Sequence, residues 1–291
     1  MRDAKCLEGE LYIYNGAIWV VKGYQHPEGF IIAYPKYLIE HFPPRKMPNW
    51  LKEKYIIKEF YWDCINATVP VIPLSKSMYL GTRLFGKARE LAKLINEYAN
   101  IDLGEDVYFT GSASLGLNGD IDLVFYGNNV SWKVYNSLMA LREAGVLKPL
   151  SLSELLEEHK KNPWVSFSDY VALRSGSILQ GSLMNIRYSI RLVPYEHGYG
   201  TCIDRVTEVR EEFLKVKIVE ALSPYTTPAM YRVIVEQYNY EALLSSFKIL
   251  FTELKPGATI EGIFRVEHRE QLVKPILIPD VGKHLKFIKV T

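Results

Sequence analysis

Residues 107–127 read VYFTGSASLGLNGDIDLVFYG, two apolar runs of strand length on either side of a small-residue loop, with Asp120 and Asp122 at the head of the second run. This stretch limits the possible folds more than any other. An apolar strand must be buried, yet its two carboxylates must not be left without partners. Side chains alternate along a strand with period two, so Asp120 and Asp122 share a face that Val124 and Tyr126 continue, while Ile121, Leu123 and Phe125 take the other.

Two like charges this close repel and raise each other's pKa unless a cation lies with them. A hard divalent ion, Mg2+ or Mn2+, suits oxygen ligands, and Mg2+ is held through one or two carboxylates together with substrate phosphates. Upstream, Gly111 and Ser112 offer unhindered backbone N–H groups and a hydroxyl to phosphate oxygens. The combination reads as a site for Mg2+ and a nucleoside triphosphate.

The surrounding chain supplies an ordered set of elements. From Thr82 onward, Leu84, Ala88, Leu91, Ile95 and Tyr98 recur at three- and four-residue intervals, predicting an amphipathic helix that stops near Asn100. NNVSWKVYNSLMALREAGVL opens with cap-type residues and continues with helical spacing, and Ser151 to Glu154 form a capping box ahead of SELLEEHKK. Near the start, LYIYNGAIWVV and GYQHPEGFIIAY predict paired strands, with a turn at His26-Pro27-Glu28-Gly29. SLMNIRYSIRLVP alternates as a further strand. Beyond it come strand-like runs, a helix-like stretch YNYEALLSSFKIL, and short strands separated by glycine, proline and charge, as in a small barrel or sandwich. The fold class is α+β: an N-terminal β-rich region (1–75), a core with a mixed sheet and flanking helices (76–200), and a β-rich C-terminal domain (201–291) for which a small barrel of the oligonucleotide-binding type is one architecture.

Gly111-Ser112, a short spacer, and then Asp120 and Asp122 within an apolar run resemble the signature of the polymerase-beta-type nucleotidyltransferases, although Gly119 stands where a hydrophobic residue is usual. Through GYQHPEGFIIAYPKYL and SPYTTPAMYRV the chain is also similar to a group of archaeal predicted nucleotidyltransferases. The resemblance implies a nucleotidyltransferase-like mixed sheet. Asp120 and Asp122 would be catalytic and bind metal, Gly111 and Ser112 would hold the triphosphate, and a nucleoside monophosphate would pass to an acceptor such as RNA with pyrophosphate leaving. The alternative is a module of the same fold that binds nucleotide or RNA without catalysis.

That family's active members carry a third carboxylate on a later strand. Here MNIRYSIRLV places Asn185, Arg187, Ser189 and Arg191 on one face, so guanidinium groups stand where an acid is expected. Arg187 and Arg191 suit phosphate, which planar donors bind bidentately, but they bind no metal. Asp169, Glu196 and Asp204 are the acids left as replacements.

GTRLFGKA, residues 81–88, matches G-x-x-x-x-G-K but ends in alanine where a hydroxyl must reach Mg2+, and it reads better as a helix start, with Lys76, Arg83 and Lys87 on the border of the triphosphate pocket. His26 and His197 have no nucleophile beside them and read as packing or surface residues. Arg45, Lys46, Lys52 and Lys54 interleave with Trp50 and Tyr55, a mixture suited to stacking and phosphate contact with RNA or equally to a solvated loop.

The formal net charge of +2 is too small to announce a nucleic-acid partner. No stretch has the ~20 apolar residues of a membrane helix, and the N-terminus has no secretory core, so the expectation is a cytoplasmic protein with no membrane partner. Cys6, Cys64 and Cys202 are widely spaced and read as free, buried thiols.

Overall fold

Asn15 and Gly16, at φ 48° and 72°, turn the chain between strands β1 (Leu11–Tyr14) and β2 (Ala17–Val21), as a two-residue hairpin requires. The structure, a computed structural model, describes residues 5–40, 43–56, 58–195, 198 and 202–279, with the backbone of 286–289. Glu196 and His197, and His41 and Phe42 of the proline-rich segment, lie outside the described residues. The chain divides into two units. The first is 1–137 with 188–203, and the second is 138–187 with 204–291.

In the first unit, β3 (Phe30–Leu38) pairs with β2, and β4 (Arg45–Lys46) adds to β3 ahead of helix α1 (Asn49–Tyr55). Strands β5 (Glu59–Trp62), β6 (Ala67–Pro73) and β7 (Met78–Tyr79) complete an N-terminal sheet of order β5-β6-β3-β2-β1-β7. Its loops are tied inward. His26 is fully buried, its Nε2 2.7 Å from the Cys6 carbonyl and its Nδ1 accepting from the Ile32 N–H at 3.2 Å, and burial pulls its pKa down to about 4. It is a packing residue.

Helix α2 (Gly86–Ala99) starts later than the apolar spacing implied. It buries Ala88, Leu91, Ala92, Ile95 and Ala99, whereas Tyr98 points to solvent. Asn100 ends it in the left-handed conformation. Strands β8 (Val107–Thr110) and β9 (Ile121–Tyr126) pair antiparallel, and helix α3 (Asn128–Glu143) follows across the division between the units.

The second unit holds helix α4 (Leu152–His159), with the expected Ser151–Glu154 capping box, helix α5 (Phe167–Arg174) and strand β10 (Gln180–Leu183). Strand β11 (Ile186–Val193) crosses back into the first unit, where it pairs parallel to β9. The single alternating strand expected over SLMNIRYSIRLVP is therefore two strands. Met184 and Asn185, both at positive φ, turn between them, so Asn185 leaves the face it was assigned to.

Strands β12 (Val206–Ser223), β13 (Ala229–Val235), β14 (Tyr240–Ser246), β15 (Thr259–Arg269), β16 (Leu272–Ile278) and β17 (Lys286–Lys289) form the second unit's sheet. The pairings close on themselves as β12-β13-β14-β16-β15-β12, with β14 parallel to β16. Within YNYEALLSSFKIL, Tyr240–Ser246 is thus a strand rather than a helix, and Ile249–Phe251 is a single 3-10 turn. Ala242, Leu244 and Ser246 alternate inward against β13, and Asn239 takes the positive φ of the turn before them. Pairing partners on both sides override the helical propensity of this segment. Arg174, 1% exposed, is the one charged side chain in this interior among the described residues to bond five ways: Gln180, Ile249, Thr252, Ser177 and Glu253 all receive its guanidinium.

The cysteine expectation is corrected as well. Cys64, in the turn between β5 and β6, forms a disulfide with Cys202, their Cα atoms 5.5 Å apart, leaving Cys6 as the free thiol. A sequence separation of 138 residues hid the pair, because spacing rules detect local frameworks only. Among the described residues, no helix is long and apolar enough to cross a membrane.

Candidate functional site

The register around β9 decides which side chains meet. Thr110 on β8 and Ser189 on β11 are both direct partners of Asp122, and Tyr108 and Arg191 are partners of Val124. Cross-strand partners share a face, so Tyr108, Thr110, Asp122, Val124, Tyr126, Ser189 and Arg191 project together. The period-two reading holds for Asp122, Val124 and Tyr126, whereas Asp120, expected beside Asp122, precedes the strand.

The Asp122 face is not open to solvent along its length. The segment Glu8–Leu11 lies against it, held by three side chains of the face. Thr110 Oγ1 donates to the Gly9 carbonyl at 2.8 Å, Tyr126 Oη donates to the Glu8 carbonyl at 3.1 Å, and Tyr108 Oη accepts from the Leu11 N–H at 3.2 Å. Leu7, Leu11, Ile18, Val20 and Tyr37 pack onto Tyr108, Val124, Tyr126 and Val193 to complete the seal. The N-terminal sheet therefore walls the acid face.

What remains is a cavity of about 80 Å3, lined by Asp122, Thr110, Gly111, Ser189 and Arg191 from the core and by Gly9, Lys22 and Lys36 from the N-terminal sheet. Behind it sits Glu8, 1% exposed, whose carboxylate takes Arg191 Nη1 at 2.6 Å, Lys22 Nζ at 2.9 Å and the Gly23 N–H at 2.8 Å. Burial pushes the Lys36 ammonium below its ordinary range, Asp122 opposes that, and Lys22, Arg191 and Lys46 add to it. Three cations and one carboxylate thus line the same pocket, with Glu8 pairing with Lys22 and Arg191.

Gly111 is fixed by this arrangement. It sits at φ +79°, and a Cβ there would overlap the Asp122 carboxylate, 2.8 Å from its Cγ. In the following loop, a Cβ on Gly119 would strike Ser112 Oγ, while Ser114 Oγ donates to the Gly111 carbonyl at 2.8 Å. The loop folds back onto Ser112 at Gly119, which leaves no room there for a side chain. We expect Gly111→Ala to destabilise the first unit by about 2 kcal/mol, from the positive φ and the displaced Asp122 together. Urea unfolding of the variant beside Gly116→Ala measures it. Gly116 shares a positive φ but meets nothing within 4 Å, so equal losses would show that the Asp122 contact adds nothing.

The remaining expected site residues are distributed as follows. Asp120, one residue ahead of β9, and Ser112 do not line the cavity. Arg187 belongs to the second unit and pairs with Glu158 of α4 at 3.2 Å. Of the replacement acids, Asp169 donates its backbone N–H to the Ser166 hydroxyl at 3.1 Å as part of the α5 cap, and Asp204 Oδ1 accepts from the Gln271 N–H. No group of three His, Cys, Asp or Glu able to hold a metal exists among the described residues. Glu8, Lys22 and Lys36 were missed from sequence. No motif marks them, and only the pairing of the N-terminal segment with β8 and β9 brings them in.

No protein-family model, no curated protein and no solved structure matches this chain.

Proposed function

We propose that the first unit is a nucleotidyltransferase-type module that holds the phosphates of a nucleoside triphosphate at the Asp122 cavity, with binding rather than transfer as its principal activity. The observation that carries this reading is that Lys22, Lys36 and Arg191 line one small cavity together with Asp122 and Gly111. Cations around a small polar cavity complement phosphoryl oxygens. At about 80 Å3 the cavity suits one phosphoryl group, whereas whole small-molecule sites span roughly 300–1,000 Å3, so the rest of the nucleotide would extend outward.

Among the described residues, Asp122 is the one carboxylate lining the cavity, so a Mg2+ there would be held by Asp122 and phosphate oxygens, with Asp120 outside the lining. The lining does not fit a two-metal centre built by side chains alone, for want of a third acid. When bound, the ion would neutralise phosphate charge. Lys22, Lys36 and Arg191 would orient the phosphoryl group, and the N-terminal sheet would exclude water from it. Transfer of a nucleoside monophosphate to an acceptor such as RNA is the second reading, favoured by the retention of both aspartates. For the second unit we propose a small barrel of the oligonucleotide-binding type, supported by the closed five-strand pairing.

The test is equilibrium binding of each labelled triphosphate with Mg2+ or Mn2+ to wild type, Lys36→Ala and Asp120→Ala/Asp122→Ala, with pyrophosphate release measured on total RNA in the same samples. Lys36→Ala is expected to weaken binding about tenfold, the size of one charge-assisted contact. Binding unchanged in both variants sinks the site. Release of pyrophosphate that the double variant abolishes replaces the binding reading with the enzyme.

A further inference from the structure

The first unit contains a second and larger cavity, of about 600 Å3, along β8 and the start of α2. It is distinct from the Asp122 cavity, with which it shares no lining residue. Its walls combine two guanidinium groups, Arg83 and Arg89, with the apolar surfaces of Tyr79, Leu103 and Val107 and one acid, Glu105.

The charges are what ask for a ligand. Neither arginine has an ion-pair partner among the described residues, Glu105 included, although most arginines of this chain are paired. Arg83 and Arg89 flank the N-terminus of α2, where the N-cap Phe85 supplies no side-chain bond and the first turn carries no acid. The positive end of the helix therefore adds to their field rather than being neutralised within the protein. This sets Arg83 apart from the border of the triphosphate pocket, where the sequence placed it.

We propose that this cavity binds a nucleoside monophosphate, its phosphate between Arg83 and Arg89 and its base against Tyr79, Leu103 and Val107. Two planar guanidinium groups match the oxygens of a phosphate monoester. The volume falls within the range of small-molecule sites, and a lining that combines apolar surfaces with two cations suits a ligand with one flat apolar half and one anionic group. Glu105 is available to accept from a ribose hydroxyl. The proposal does not rest on the reading of the Asp122 cavity.

Calorimetric titration with AMP, GMP, CMP, UMP and inorganic phosphate tests it on wild type, Arg83→Ala/Arg89→Ala, Leu103→Trp and Lys36→Ala. Wild type is expected to bind at least one monophosphate with Kd below about 1 mM and more tightly than inorganic phosphate. The double arginine variant weakens that binding at least tenfold, and Leu103→Trp, which fills the cavity and leaves both charges, weakens it likewise. Lys36→Ala leaves it within about twofold. Both arginines are exposed, so the double variant is expected to keep the wild-type circular dichroism spectrum. No binding of any monophosphate at about 1 mM, equal affinity for inorganic phosphate, or a loss on Lys36→Ala in place of the arginine variant each overturns the proposal.

Discussion

Replacing Glu8 by alanine is expected to cost the first unit about 3 kcal/mol, seen as a lower midpoint in urea at neutral pH. The carboxylate is buried and takes Lys22 at 2.9 Å, Arg191 at 2.6 Å and the Gly23 N–H at 2.8 Å. Deleting one member of a buried charge cluster leaves the others uncompensated, a loss of roughly 3–5 kcal/mol. Lys22 and Arg191 are 42% and 34% exposed and regain some hydration, which places the figure at the lower end. Glu8→Gln keeps an acceptor for Gly23 and is expected to lose about half as much. Equal losses for both variants would assign the effect to packing instead of charge.

The same residue sets an acid limit. Burial pushes the Glu8 carboxyl upward, but Lys22, Arg191 and the Gly23 N–H together outweigh burial and hold it below its ordinary value of 4.5. A group with a depressed folded pKa contributes its stability above the unfolded pKa and loses it as pH falls through the folded one. Stability should therefore fall below about pH 4.5 in wild type and fall less steeply in Glu8→Gln, which the pH dependence of the urea midpoint measures.

How much of this was legible in the sequence depends on the distance over which each feature is encoded. The β1–β2 hairpin, the capping box at Ser151, the end of α2 at Asn100 and the common face of Asp122 and Val124 are local, set by turn residues and side-chain period, and all could be read. The core wall was legible in part. Arg191 was found because strand alternation points it at the acid face, while Arg187, two residues earlier, is taken up by Glu158. The other wall was not legible at all. Glu8, Lys22 and Lys36 arrive through pairings about 100 residues apart in sequence, such as Thr110 with Gly9, and no local pattern distinguishes them from ordinary surface charges. The helix-like YNYEALLSSFKIL failed for the same reason, since its β13 and β16 partners decide its conformation.

Reduction of the Cys64–Cys202 disulfide should have the largest effect on stability, about 5 kcal/mol for the 138-residue separation it closes if loop entropy governs the unfolded chain. Cys64 belongs to the N-terminal sheet and Cys202 follows β11, so the bond ties the elements carrying Lys22 and Lys36 to the strand carrying Ser189 and Arg191. Both walls of the Asp122 cavity are thereby cross-linked within one unit. Urea unfolding with and without dithiothreitol, beside Cys64→Ser/Cys202→Ser, is expected to show the same loss for reduced wild type and for the variant. Phosphate-ligand affinity should fall with it as the walls gain freedom to part. A variant that keeps full stability would show that the N-terminal sheet is held by the Tyr108, Thr110 and Tyr126 bonds alone.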